Sequence, residues 1–256
     1  MKVSIITINY NNINGLEKTI ESVINQTHND IEYLIIDGGS NDGSVEIIKQ
    51  YAEKINYYVS EKDGGIYNAM NKGINKATGD YFLFINSGDS LIDSNILTEI
   101  MSENRVEDLI YGNLLLFDAE KQWTWNLPDK LTFRDFYNST IPHPGTFIKR
   151  ELFNKVGLYD ETLKIVSDWK FFLLALTKYS ASYVHINKII TKYSYDGISS
   201  REENFRKIDA ERYEVLRREF NFMLDDYLEL EKLSSEMKKI KNFLKIRKFF
   251  KSLFNK

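Results

Sequence analysis

The chain has 256 residues, of which 43% are hydrophobic and 28% charged, a composition that can form a buried core. It contains no cysteine, which excludes disulfide frameworks, thiolate metal sites and cysteine nucleophiles. Three histidines argue against a multi-histidine metal site or a Ser-His-Asp triad. No apolar run reaches the roughly 18 residues of a membrane span, and the N-terminus lacks the pattern of a signal peptide, so we expect a cytoplasmic protein.

The net charge of −3 is unevenly distributed. Lys238–Lys256 holds seven lysines, one arginine and no acidic residue, so this segment carries +8 and the rest of the chain −11. The acidic body is not typical of a nucleic-acid-binding protein. Within the segment, apolar residues recur near helical spacing at Ile240, Phe243, Leu244, Phe250, Leu253 and Phe254. This pattern predicts a basic amphipathic helix on an anionic membrane surface, with docking on its own domain or on another subunit of an oligomer as the alternative.

The first 110 or so residues alternate between strand and helix patterns. The predicted strands are Val3–Asn9, Ile31–Asp37, Ile55–Ser60 and Tyr81–Ile85. The predicted helices between them contain Leu16, Ile20, Val23 and Ile24, then Val45, Ile47 and Ile48, then roughly Gly65–Ala77. Strands separated by helices in this way favour right-handed βαβ units, so the fold class is α/β with a mostly parallel central sheet.

The second half is less regular. The predicted elements are an antiparallel pair at Asp108–Asp118 and Gln122–Asn126, a helix from about Ser167-Asp168, a strand at Tyr183–Tyr195 and helix over most of Arg201–Lys256. No flexible linker separates them. We therefore expect a domain at 1–200, followed by a helical C-terminal extension at 201–256 that ends in the basic tail.

Three acidic loops follow the predicted parallel strands, at the edge where such sheets bind ligands. Asn86-Ser87-Gly88-Asp89 can present a carboxylate to Mg²⁺ or Mn²⁺ and its phosphate ligands, or can simply form a turn. Asp37 can accept a bond from a nucleobase or cap the turn after it. Asp63 can line a phosphate or sugar site at a helix N-terminus, or can be only the helix cap.

Together these segments resemble family 2 glycosyltransferases over roughly the first 200 residues. The resemblance rests on Val3–Asn11, Ile35–Ser44, Asp63–Lys72 and Gly79–Asp89, which follow the family pattern in register. It implies a GT-A fold, an α/β/α sandwich that binds a nucleotide-sugar and a divalent metal ion and inverts the anomeric centre.

The resemblance also implies roles for individual residues. Asn9 and Tyr10 would bind the donor, with Tyr10 packed on the nucleobase, Asp37 bonded to that base and Asp63 lining the pocket. Asn86 and Ser87 would bind the donor, and Asp89 would hold Mn²⁺ or Mg²⁺. Asn86 and Gly88 stand where the family often has aspartates, so Asp89 is the one strong anion of this motif, and the donor diphosphate would have to complete the metal site.

The acceptor region resembles the family at His143–Phe147, Gly157–Glu161 and Ser167–Trp169. By this resemblance Asp168 deprotonates the acceptor hydroxyl, although it can also cap its helix. His143 shapes the acceptor site, or is a loop histidine bonded to backbone.

The predicted function is inverting transfer of a sugar from a nucleotide-diphosphate donor, most commonly a UDP-sugar, to a hydroxyl of a saccharide or lipid-linked acceptor. The resemblance suggests bacterial surface-polysaccharide biosynthesis at the inner face of the cell membrane. The main alternative is a non-catalytic sugar-nucleotide-binding protein with a degenerate metal site, because of Asn86 and Gly88. A nicotinamide-dependent oxidoreductase is disfavoured, because Asn9–Asn12 stands in place of Gly-x-Gly-x-x-Gly.

Overall fold

A computed structural model of the chain describes the backbone of residues 1–254 and the side chains of residues 1–244. The chain divides into two compact units, Met1–Ile208 and Asp209–Lys256. All strands of the described residues lie in the first unit.

The strands are β1 Val3–Asn9, β2 Ile31–Asp37, β3 Tyr57–Ser60, β4 Tyr81–Phe84, β5 Ser90–Leu91, β6 Leu109–Phe117, β7 Gln122–Trp125, β8 Thr146–Lys149 and β9 Tyr183–Ser194. The helices are α1 Ile13–Ile24, α2 Ser44–Gln50, α3 Ile66–Lys76, α4 Ile96–Met101, α5 Phe133–Asn138, α6 Arg150–Val156, α7 Ser167–Thr177 and α8 Phe205–Phe254. Short 3₁₀ turns lie at Ala52–Lys54, His143–Gly145 and Glu202–Asn204.

Across the described residues the strands form one sheet in the order β3-β2-β1-β4-β8-β6-β9-β5, with β7 paired to β6. β1 is parallel to both β2 and β4, and β2 is parallel to β3. β8 is antiparallel to β4 and to β6, so β6 and its parallel partner β9 again run in the direction of β1. The sheet is therefore mixed but mostly parallel, and β4 is a central strand.

Helices cover both faces of the sheet because the side chains of its buried strands alternate between the two faces. On one face Val3 and Ile5 of β1 join a core cluster with Leu16 and Ile20 of α1. On the other face Ile6 of β1 lies against α3. This layered α/β arrangement leaves the loops after the parallel strands at one edge.

The predicted alternation of strands and helices in the first half is confirmed. β3 starts at Tyr57 rather than at Ile55, because the N–H of Ile55 still donates to Ala52 O of the 3₁₀ turn Ala52–Lys54. The antiparallel pair is also present as β6 and β7. Not predicted were α4, α5, α6, the two-residue strand β5 and the four-residue strand β8. The entry of β8 between β4 and β6 matters most, since it brings the His143–Gly145 turn to the carboxyl end of β4.

Helix α8 begins in the first unit and continues through the second. Its backbone departs from helical geometry at Phe220 (φ −136°, ψ 22°). In the second unit Ile240, Phe243 and Leu244 are exposed. Of the predicted basic tail Lys238–Lys256, the side chains after Leu244 and the last two residues lie outside the described part of the chain. Among the helices that are described, none combines the length and apolar character needed to cross a lipid bilayer.

The close contact of α3 with β1 yields a stability prediction. A Cβ atom at Gly73 would lie 2.5 Å from Cγ2 of the fully buried Ile6, so Gly73→Ala must displace core side chains. We expect it to lower the free energy of unfolding by about 1–3 kcal/mol, measured by urea denaturation. Asn75→Ala, on the exposed side of the same helix, is the matched control and should leave stability unchanged or slightly higher. A Gly73→Ala protein as stable as the wild type would contradict this packing.

Candidate active site

The first part of the site is the junction of β1 and β2. Asn9 and Asp37 are register partners at the ends of these parallel strands, and Asn9 Nδ2 donates to Asp37 Oδ1 over 2.7 Å. Asp37 also accepts from the Ser40 hydroxyl and backbone N–H and from the Ser60 hydroxyl. Burial would raise the pKa of Asp37, but these hydrogen bonds outweigh it and hold the pKa below its usual value. Asp37 is thus an ionised carboxylate that ties three loops together, and its bond to a nucleobase stays a prediction.

Beside this junction is a small patch formed by Tyr10, Gly38 and Asp63. Tyr10 is 66% exposed, and a Cβ atom at Gly38 would lie 3.2 Å from its ring and 2.7 Å from Asp63 Oδ2. Asp63 Oδ1 accepts the N–H of Gly65, and Gly65 rather than Asp63 is the cap residue of α3. The predicted aromatic platform and carboxylate therefore lie next to each other at the edge of the sheet.

The loop after β4 is joined to the loop after β1. Ser87 N–H donates to Ile8 O, and Asn12 Nδ2 donates to Ser87 O. The backbone N–H of Gly88 and the carbonyl of Asp89 both bond the Thr19 hydroxyl of α1. These contacts hold the Asn86–Asp89 loop against the same edge that carries Asn9 and Asp37.

Asp89 is buried, and its Oδ1 accepts the N–H of Ser194 at the end of β9 over 3.0 Å. Burial raises the pKa of Asp89 to about 7, only partly offset by this bond and by attraction to His143. Among the described residues no donor reaches its Oδ2, and no group of three or more acidic or histidine side chains gathers into a metal site. A single buried carboxylate with a free oxygen fits a cation that also takes phosphate oxygens and water, but not a site built by the protein alone.

A network of side chains joins the Asn86 loop to α7. His143 Nδ1 lies 2.9 Å from Asp168 Oδ2, and His143 Nε2 lies 3.1 Å from Asn86 Nδ2. The hydroxyl of Tyr67 lies 2.8 Å from Asp168 Oδ1. Burial would raise the pKa of Asp168, but the contacts with His143 and Tyr67 outweigh it and keep the pKa below its usual value. The structure therefore brings together Asn86, His143 and Asp168, which are far apart in the sequence.

These contacts bear on two alternatives left open by the sequence. The cap position of α7 is Val166, and no side chain caps this helix, so Asp168 is not its cap. The contacts of His143 are with side chains, so it is not the loop histidine bonded only to backbone. The sequence analysis did not identify Tyr67 or Tyr193. The pKa of Tyr193 is raised mainly by burial and also by Asp89 and Asp168, so this ring lies near both acids.

Known proteins that are similar to this chain include glycosyltransferases. A family model described as "Glycosyl transferase family 2" matches residues 4–157. A PGL/p-HBAD biosynthesis glycosyltransferase of Mycobacterium bovis is 28% identical over 72% of this chain and 74% of its own. An uncharacterized glycosyltransferase of Mycobacterium tuberculosis is 31% identical over 78% of each chain.

Solved structures show the same fold at low sequence identity. S. aureus TarS 1–349 in complex with UDP-GlcNAc is similar with a TM-score of 0.65 and 18% identity, covering 88% of this chain and 73% of that one. In another TarS structure, with a longer chain, the match spans only 37% of that chain. A mannosyltransferase of Pyrobaculum calidifontis in complex with GDP-Man and Mn²⁺ has a TM-score of 0.61 and 15% identity, covering 80% of this chain and 60% of that one. The predicted GT-A fold is confirmed.

The pKa of Asp89 leads to a prediction about pH and stability. Between pH values of about 4 and 7, Asp89 of the metal-free protein is protonated in the folded state and ionised in the unfolded state. Burial of Asp89 therefore lowers the free energy of unfolding as the pH rises through this range. Asp89→Asn should therefore raise the free energy of unfolding at pH 8 by about 1–4 kcal/mol, and this gain should shrink toward pH 5.

Urea denaturation of both proteins after treatment with a chelator checks this expectation. Asp226→Asn, at an exposed position of α8, is the matched control and should show no such pH-dependent gain. A gain for Asp89→Asn that is the same at pH 5 and pH 8, or no gain at all, would show that Asp89 is not a buried charge in the metal-free protein.

Proposed function

Since the chain belongs to glycosyl transferase family 2, and is therefore a nucleotide-sugar glycosyltransferase, we propose that it inverts the anomeric centre as it transfers the sugar. The donor would be a UDP-sugar, and the acceptor a hydroxyl of a saccharide or of a lipid-linked molecule. The observation that carries this proposal is the chain of contacts from the Asn86 loop through His143 to Asp168. These contacts support the proposal because they connect Asp168, which we assign to the acceptor, with the loop that we assign to the donor.

The donor assignment rests on the edge formed by β1, β2 and β4. Tyr10, 66% exposed, offers a flat surface for a nucleobase, and Asp63 lies beside it. Neighbours of the same fold were determined with UDP, UDP-GlcNAc or GDP-Man. The TarS structures contain uridine nucleotides, which supports a UDP-sugar and leaves the sugar itself open.

Asp89 is the residue we assign to Mn²⁺ or Mg²⁺, with the donor diphosphate supplying further oxygens. A cation there would also remove the cost of the buried charge, since it favours the ionised carboxylate. When bound, the cation would neutralise the negative charge that develops on the departing diphosphate. The neighbour that binds GDP-Man was determined with Mn²⁺, which supports this choice.

In the proposed reaction the acceptor oxygen attacks the anomeric carbon as the bond to the nucleoside diphosphate breaks, which inverts the configuration. The acceptor hydroxyl must lose its proton, and the negative charge of Asp168 drives that loss. Tyr67 and His143 hold the Asp168 carboxylate in place. An acid fixed in this way loses no free energy to reorientation when the substrates arrive.

The first test is donor binding, followed by transfer. A panel of nucleotide-sugars with Mn²⁺ should yield at least one that raises the melting temperature, since a ligand of the folded state stabilises it. With that donor, Asp168→Asn should keep the thermal shift but lower transfer by about 100-fold or more. Asp89→Ala should lose the metal-dependent part of both signals.

Asp226→Asn again serves as the control and should behave as the wild type in both assays. Wild-type turnover by Asp168→Asn would refute the role of Asp168. Donor binding by the wild-type protein, without hydrolysis or transfer to any saccharide or lipid-linked acceptor, would instead favour the non-catalytic binding protein that Asn86 and Gly88 suggest.

The tail supports a second part of the proposal, attachment to the cytoplasmic face of a membrane during bacterial polysaccharide synthesis. Exposed Ile240, Phe243 and Leu244 lie among exposed Lys238, Lys239 and Lys241. Apolar side chains surrounded by lysines suit the boundary of an anionic bilayer, where each cation contributes about 1 kcal/mol.

We expect the full chain to co-sediment with vesicles of phosphatidylglycerol and phosphatidylcholine, and to bind less as salt increases. Changing Lys238, Lys239 and Lys241 together to Glu should reduce the bound fraction at least threefold. Changing exposed Lys18, Lys49 and Lys54 to Glu makes the same change in net charge and should reduce binding much less. Equal losses for the two triple variants would contradict a role for the tail.

A further inference from the structure

His143 is held between two side chains of different chemistry. Its Nδ1 faces a carboxylate oxygen of Asp168 at 2.9 Å, and its Nε2 faces the amide nitrogen of Asn86 at 3.1 Å. An amide nitrogen only donates, so Nε2 must accept, and the single proton of a neutral imidazole is then on Nδ1. The geometry therefore selects one tautomer, with Nδ1–H donating to Asp168 and a lone pair on Nε2.

The surroundings of Nε2 suit a hydroxyl group that gives up a proton. Oδ1 of Asn86 is buried and has no hydrogen-bond partner. One side chain thus contacts the lone pair of Nε2 and carries a second, unused acceptor. Asn86 Nδ2 already donates to that lone pair, so an acceptor hydroxyl would have to replace this amide as the donor to Nε2.

Asp168 is better placed to anchor the imidazole than to receive the proton itself. Each of its oxygens already has a partner, His143 at Oδ2 and Tyr67 at Oδ1. These contacts keep its pKa low despite burial, which makes the carboxylate a weak proton acceptor and a good partner for a cation.

We propose that Nε2 of His143 receives the proton of the acceptor hydroxyl, and that Asp168 acts through Nδ1 to orient the ring and stabilise the imidazolium. This inference rests on the transfer reaction proposed above and specifies its base. The O–H bond of the acceptor breaks and an N–H bond forms at Nε2, while the acceptor oxygen bonds to the anomeric carbon and the diphosphate leaves with the electron pair. The proton then passes from His143 to solvent. The arrangement parallels the histidine and aspartate of serine hydrolases, in which the carboxylate bonds Nδ1 and the proton is taken at Nε2.

A second histidine of the same chain provides a contrast. His185 Nδ1 lies 2.6 Å from Asp129 Oδ1, and its Nε2 lies 3.1 Å from Asn113 Oδ1. That amide orientation is fixed by the N–H of Leu127, which donates to the same Oδ1. Both nitrogens of His185 therefore face side-chain oxygen atoms, and this ring links Asp129 to Asn113.

The first experiment needs no substrate. Nitrogen–proton correlation spectra of ¹⁵N-histidine-labelled full chain at pH 8 should contain three imidazole patterns, since the chain has three histidines, and His143→Gln assigns one by its loss. We expect His143 to be the Nδ1–H tautomer with an unprotonated Nε2. A proton on Nε2, alone or together with Nδ1, would overturn the proposal, because it would mean that the Asn86 amide is turned and presents its oxygen.

The second experiment is chemical rescue of transfer. His143→Gly should keep the donor-induced thermal shift and lower kcat by about 100-fold or more. Added imidazole should then raise the kcat of this variant at least tenfold, and the increase should saturate with imidazole concentration. His143→Gln fills the site and should be equally slow and not rescued. His28→Gly, outside the site, should match the wild type with and without imidazole.

The outcomes distinguish the proposed role of His143 from the transfer reaction on which it rests. Activity of His143→Gly within about threefold of the wild type, or a loss that imidazole does not restore although the donor still binds, would refute the role of Nε2 and leave the transferase assignment intact. If the wild type transfers to no acceptor, the proposed function fails, and the tautomer measurement still decides how His143 is held.

Discussion

The register of β1 against its neighbours is the constraint on which the site depends. Asn9 and Asp37 are paired at the same level of two parallel strands, and Ser60 of β3 is paired with Asp37 in turn. Because all three strands run in one direction, their loops leave the sheet together, and one carboxylate can bond donors from each of them. A shift of one residue in any pair would turn Asp37 to the opposite face and separate the loops. The strand register therefore also brings these three loops together at one edge of the sheet.

Two acids of the site, the buried Asp89 and the half-buried Asp168, are held in opposite electrostatic states. Asp168 has two donors and stays ionised without help, whereas Asp89 has one backbone donor and burial raises its pKa to about 7. Neighbouring acids whose environments give them different pKa values commonly have different chemical roles. Here the charge of Asp168 is stabilised by donors of the protein itself, whereas the charge of Asp89 would be stabilised by a bound cation. In the proposed reaction Asp89 would be the acid whose environment changes most on binding of substrate and cation, while Asp168 would keep its contacts with Tyr67 and His143.

The sequence predicted the strands and helices of the first half well, because buried β-branched runs and helical periodicity are local signals. The acids that follow the strands could be placed at one edge of the sheet from the topology alone. It did not predict β8, because four residues such as Thr146–Lys149 have no distinguishing period, and their position between β4 and β6 depends on contacts far along the chain. The same limit applies to the site. Tyr67 has the spacing of a core residue in α3, and only the packed structure shows its hydroxyl beside Asp168. The assignment of Asp37 to a nucleobase and of Asp89 to a metal still rests on the family pattern.

Asn86 stands where the family often has an aspartate, and from the sequence alone this difference indicates weaker metal binding. Its contact with His143 suggests a second consequence, for the protonation of the imidazole. A carboxylate at position 86 would lie against Nε2 while Asp168 lies against Nδ1, and two anions on either side would hold the imidazole doubly protonated. Such a ring could donate two hydrogen bonds but accept no proton. The neutral amide of Asn86 instead leaves Nε2 with its lone pair, at the expense of one anion for the cation. If His143 is the base, Asn86 weakens metal binding but keeps a proton acceptor between the donor and the acceptor. The donor diphosphate must then supply the metal ligand that an aspartate at position 86 would have provided.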